Sequence, residues 1–119
     1  ACPVALWVSP RLLGHLQKDL GDLGYLNRRL PPGSDRTELD WPPHRGILCL
    51  EPSCAGEAGL ARLRGDAPAP VRKVLVFATR EGEEDRKAVQ GIAIHAWVAA
   101  PGGKLPRDWT REPGLSRIL

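Results

Sequence analysis

The sequence predicts an α/β protein, a three-layer sandwich in which helices cover both faces of an open, mainly parallel sheet of four or five strands. Two observations lead there. Four apolar runs, "PVALWV", "GILCLE", "VRKVLVFAT" and "IAIHAWVAA", have the length and apolar continuity of strands covered on both faces. Helix-forming segments alternate with them, and strand–helix units joined by short loops close as right-handed crossovers into a parallel sheet. At 119 residues the chain fits one compact domain, 1–119, with a single core.

The first strand is expected over Pro3 to Val8. Ser9 and Pro10 then offer an N-cap and a first-turn proline, and Leu12, Leu13, Leu16, Leu20 and Leu23 follow helical spacing, with Lys18, Asp19 and Asp22 on the other side. Gly24 is the expected stop. "YLNRRL" reads as a short edge strand whose arginines discourage further pairing. Two Pro-Pro pairs make the stretch at about 30–45 an irregular loop holding Trp41 and His44. "GILCLE" is the second long strand. Ser53 is placed to cap a helix over "CAGEAGLARLRG", packing through Ala58, Leu60, Ala61 and Leu63. After "DAPAP" comes the strand "VRKVLVFAT". Thr79 is placed to cap "REGEEDRKAVQG", whose early acids suit a helix N-terminus. "IAIHAWVAAPGG" gives the last strand, and the tail, with Pro106 and Pro113, has room for one short helix.

Composition narrows the function classes. With 17 basic and 14 acidic side chains the formal charge is +3, and acids interleave with the bases, so there is no strong nucleic-acid signal. No apolar run reaches the roughly 18 residues of a membrane span, and "ACPVALWVSP" lacks the features of a signal peptide. A cytoplasmic location is expected. Methionine is absent throughout, position 1 included, which suits a domain excised from a longer chain or a processed one. Cys2, Cys49 and Cys54 do not form an even disulfide framework. "CLEPSC" with His44 lacks the second ligand pair of a structural zinc site, so no metal and no cofactor is expected.

The acid that ends "GILCLE" draws attention, because parallel sheets place functional groups at the carboxyl ends of their strands. From Gly46 to Pro101 the order is a strand ending in Glu51, a glycine eight residues later (Gly59), a proline-rich link, a strand ending in Ala78-Thr79, an acidic helix and a strand ending in Pro101. This order resembles the receiver domains of bacterial response regulators, which implies a flavodoxin-like, receiver-like sheet. The resemblance places Glu51 at the phosphoacceptor aspartate and Ala78 or Thr79 at the family's hydroxyl. It places Trp97 at the aromatic switch position and Ala100 at the lysine before the proline. The departures are informative. Ser9 and Pro10 stand where the family holds Mg²⁺ with acids, and Ala100 cannot pair with a phosphoryl oxygen. The resemblance therefore implies a pseudo-receiver that lacks the phosphorylation residues.

Two function classes remain. One is a non-enzymatic signalling or protein-interaction domain, bound to a protein partner, to the rest of a longer parent chain or to a second copy as a homodimer, with Trp41, His44 and Trp97 on the candidate surface. The other is a small-molecule or nucleotide-binding α/β domain, or an enzyme fragment, with its ligand over the strand-end cluster Ser9, Glu51 and Thr79. No GxGxxG, P-loop or nucleophile–His–acid pattern supports the second, and no catalytic residue is assigned. Glu51 is expected at the solvent edge of the sheet, where it helps the adjacent turn; the other reading has it imitate a phosphorylated aspartate.

Overall fold

The computed structural model describes residues 3–30, 46–64, 71–80 and 83–119. Five strands, β1 (Pro3–Trp7), β2 (Leu26–Arg29), β3 (Gly46–Leu50), β4 (Val71–Ala78) and β5 (Ala96–Ala99), form one sheet in the order β2-β1-β3-β4-β5. Every adjacent pair is parallel. The all-parallel sheet is the one expected from the strand–helix alternation, its order is compatible with a flavodoxin-like sandwich, and it reverses direction between β1 and β3. "YLNRRL" does contribute the edge strand β2.

Alternation along the strands supplies two cores. Val4, Leu6, Ile47, Cys49, Leu75, Phe77 and Val98 turn to one face, where α1 (Pro10–Asp22) lays down Leu12, Leu16 and Leu20. Trp109 and Leu115 complete that layer. Ala5, Trp7, Leu48, Leu50, Val74 and Val76 turn to the other, against Ala55, Leu60 and Leu63 of α2 (Pro52–Arg64) and against Val89, just beyond α3 (Glu84–Ala88). The middle strand β3 is buried along its whole length.

Several local expectations are corrected. Ser9 occupies the N-cap of α1, but its side chain makes no capping bond. The second helix starts at Pro52 and breaks at Gly56, whose φ of 71° and ψ of 172° lie outside helical geometry and suit glycine. That break resets the phase, so Ala58 and Ala61 are exposed and Ala55 packs instead. Gly59 lies against Trp7: a Cβ there would approach the indole Cη2 to 3.0 Å. Thr79 caps nothing, because the following helix begins only at Glu84. The last strand is shorter than the apolar run. Ile92 and Ile94 pack against the core from outside it, while His95 precedes β5, its N–H donating to Val74 O at 2.9 Å and its Nδ1 accepting from Val74 N at 3.1 Å. The tail carries two one-turn pieces, a 3-10 turn at Trp109–Arg111 and α4 at Pro113–Ser116. Trp109 is 1% exposed and meets Phe77 edge to face at 5.6 Å, with its indole N–H on Asp19 Oδ2 at 2.7 Å. Among the described residues no helix is long and apolar enough to cross a membrane.

Candidate functional site

Chain reversal between β1 and β3 opens a crevice at the carboxyl ends of the strands, the usual place for function in such sheets. Three turns meet there. Ser9 follows β1 and leads into α1, Glu51 follows β3 directly, and Thr79 follows β4 directly. The three residues singled out in the sequence are thus brought together.

Glu51 is at the centre and, contrary to the expectation of an exposed acid, is only 5% exposed. Its backbone N–H donates to Trp7 O at 2.6 Å, and its carbonyl accepts from Cys54 and Ala55 N–H, so main-chain bonds fix it on both sides. Burying a carboxylate is costly unless donors replace water. Here Ser9 N–H reaches Oε2 at 2.6 Å, the Thr79 hydroxyl donates to Oε1 at 3.1 Å, and the Ser53 hydroxyl approaches Oε1 at 3.4 Å. Ser9, which keeps the N-cap position of α1, gives its main-chain N–H to the carboxylate, and the hydroxyl of Ser53, expected as a helix cap, turns to it as well. In effect the Glu51 side chain ties the ends of β1, β3 and β4 together.

A second acid holds Thr79 from behind. Asp85 is fully buried. Its Oδ2 accepts the backbone N–H groups of Thr79 at 3.2 Å and Arg80 at 3.3 Å, while its Oδ1 accepts Arg80 Nε at 2.8 Å and Nη2 at 2.6 Å. Thr79 therefore spans two carboxylates, its main chain on Asp85 and its hydroxyl on Glu51. Arg80 also pairs with Glu84 at 3.5 Å. The hydrogen bond to Asp85, more than any other influence, raises the Arg80 guanidinium above its ordinary range, and the charge of Glu51 adds to it. Burial pushes the Cys54 thiol up, and Glu51 pushes it further. Cys49, buried in β3, is raised strongly by desolvation alone.

Between these turns lies a hollow of about 240 Å³ lined by Ser9, Arg11, Glu51, Thr79, Gly102 and Gly103. Arg11, Gly102 and Gly103 had no motif to reveal them, because a long stretch of chain separates the helix from the glycines. Asp85 was legible only as an acid near a helix start. No three His, Cys, Asp or Glu side chains converge as metal ligands among the described residues. Trp97 lies away from this hollow, half-buried on β5 with the Arg86 guanidinium 4.6 Å above its ring. Ala100 is fully buried. Trp41 and His44 lie outside the described residues, as does most of the proline-rich loop. The chain matches no family model, no curated protein and no solved structure.

Proposed function

We propose that this chain is a phosphorylation-independent, receiver-like domain that works in signalling by binding protein. One observation carries the reading: Glu51 and Thr79, which the resemblance sets at the phosphoacceptor and hydroxyl positions, are hydrogen-bonded to each other at 3.1 Å. A phosphoacceptor must present a free oxygen to an incoming phosphoryl donor. The Glu51 carboxylate is instead buried and committed to Ser9 and Thr79. On this reading Glu51 stands permanently where a phosphorylated aspartate would stand, and it keeps the turn after β4 in one arrangement. The binding surface is then available without an input reaction, and Trp97, backed by Arg86, belongs to it.

The test is exposure of the full chain to acetyl phosphate and Mg²⁺, followed by intact mass, with sedimentation over a concentration series to report self-association. An unchanged mass is expected, and a phosphoryl adduct on Glu51 contradicts the proposal. The 240 Å³ hollow at the switch point keeps the small-molecule reading testable in parallel. Thermal stabilisation by a nucleotide or flavin, lost in Thr79→Val, would move the assignment to that class.

A further inference from the structure

Residues Arg11, His15 and Asp19 recur at intervals of four along α1 and so share one stripe of the helix. That stripe borders the segment running from Gly102 to Arg107. Arg11 closes one end, its guanidinium donating to Gly102 O at 3.3 Å, and Gly103 sits so close that a Cβ there would lie 3.3 Å from Arg11 Cβ. Beyond Gly103 the two walls part. They enclose a hollow of about 450 Å³, with His15 and Asp19 on the helix side and Lys104 to Arg107 on the other. It meets the strand-end hollow at Gly103. The far end is fixed where Asp19 holds the Trp109 indole.

Charge in this groove is unequally committed. Of the charged side chains that line it, Lys104 and Arg107 outnumber Asp19, whose Oδ2 accepts the Trp109 N–H, while Glu51, at the adjoining hollow, accepts from Ser9 and Thr79. Lys104 and Arg107 are exposed and form no ion pair among the described residues. An ammonium, a guanidinium fork and an imidazole around one concavity are the donors that a phosphate group takes. Half-buried Leu105 and exposed Pro106 add an apolar wall for an organic body, and the volume lies within the roughly 300–1,000 Å³ of small-molecule sites.

We infer that the groove between α1 and Gly102–Arg107 is a binding site for a small phosphate monoester. It is independent of Glu51 chemistry, so it stands or falls separately from the proposed function. The experiment is a titration of the isotope-labelled full chain with ribose 5-phosphate at fixed salt, followed by amide NMR, with inorganic phosphate and ribose as separate additions. Saturable shifts are expected at His15, Gly103, Leu105 and Arg107. Lys104→Ala and Arg107→Ala should each weaken binding by about tenfold, the loss of one charge-assisted contact. Arg28→Ala/Arg29→Ala, on the distant edge strand β2, should leave it unchanged. Shifts that stay linear in concentration, spread equally to Arg28 and Arg29, or persist undiminished in both single variants overturn the assignment. Inorganic phosphate binding as tightly as the ester overturns the organic part of it.

Discussion

Glu51 asks more of its surroundings than any other side chain at the strand ends, since a buried carboxylate stripped of donors is destabilising by several kcal/mol. In Glu51→Ala, Ser9 N–H and the Thr79 hydroxyl both lose their acceptor, at about 1–3 kcal/mol for each buried group left unsatisfied. A lowered melting temperature is expected, partly restored by formate at concentrations that leave the unaltered chain unmoved. Equal formate responses in both proteins would show that the carboxylate is not held as described. Cys49 makes a separate prediction about pH. Desolvation raises its thiol above the ordinary 9.0, so in alkali the unfolded chain ionises first and binds fewer protons than the folded one. The associated stability is intact below pH 9.0 and declines as pH rises beyond it. Urea titrations at rising alkaline pH should show a shallower decline in Cys49→Ala than in the parent, despite the variant's lower stability throughout. Identical slopes would contradict the burial-based explanation. The burial of Glu51 could not be read from the sequence, because the two donors closest to it come from turns 42 residues before and 28 after.

Elements formed where the sequence pattern is strongest and departed where a single residue intervenes. The leucine stripe of α1 is self-evident at helical spacing, and β3 and β4 are evident as apolar runs. Helix α2 was harder, because the break at Gly56 shifts its buried face by a few residues. Its contact with the sheet depends on Gly59. Gly59→Ala places a methyl against the Trp7 ring, inside a core already closed, and should cost about 1–3 kcal/mol in chemical denaturation. A neutral or stabilising result would mean that the helix does not lie this close to β1. The segment after β4 reads as an acidic helix start, yet Asp85 is turned inward to the backbone of Thr79 and Arg80. Asp85→Asn keeps the shape and gives up the charge. A loss of about 1.5–3 kcal/mol is expected for these charge-assisted bonds, along with a changed amide shift at Thr79. An unmoved Thr79 amide would separate Asp85 from the strand-end cluster.

At the scale of the whole molecule, apolar strands alternating with helices close into a parallel sheet, which is why the fold class was legible. The strand-end cluster was legible for the same reason: a parallel sheet delivers the residues after β1, β3 and β4 to one end. What the sequence withheld was whether the cluster faces outward or is consumed from within. Trp109 shows the same limit, since a tryptophan in a proline-broken tail gives no sign that it closes one face of the core through Phe77 and Asp19. The central claim is that Glu51 already fills the receiver-like site. It is tested most directly by amide NMR spectra of the labelled chain with and without Mg²⁺ and beryllofluoride, a mimic of the phosphorylated acid. Superimposable spectra are the expected result. Saturable, Mg²⁺-dependent shifts concentrated at Ser9, Glu51 and Thr79 would contradict the claim, because the site would then still accept a phosphoryl mimic.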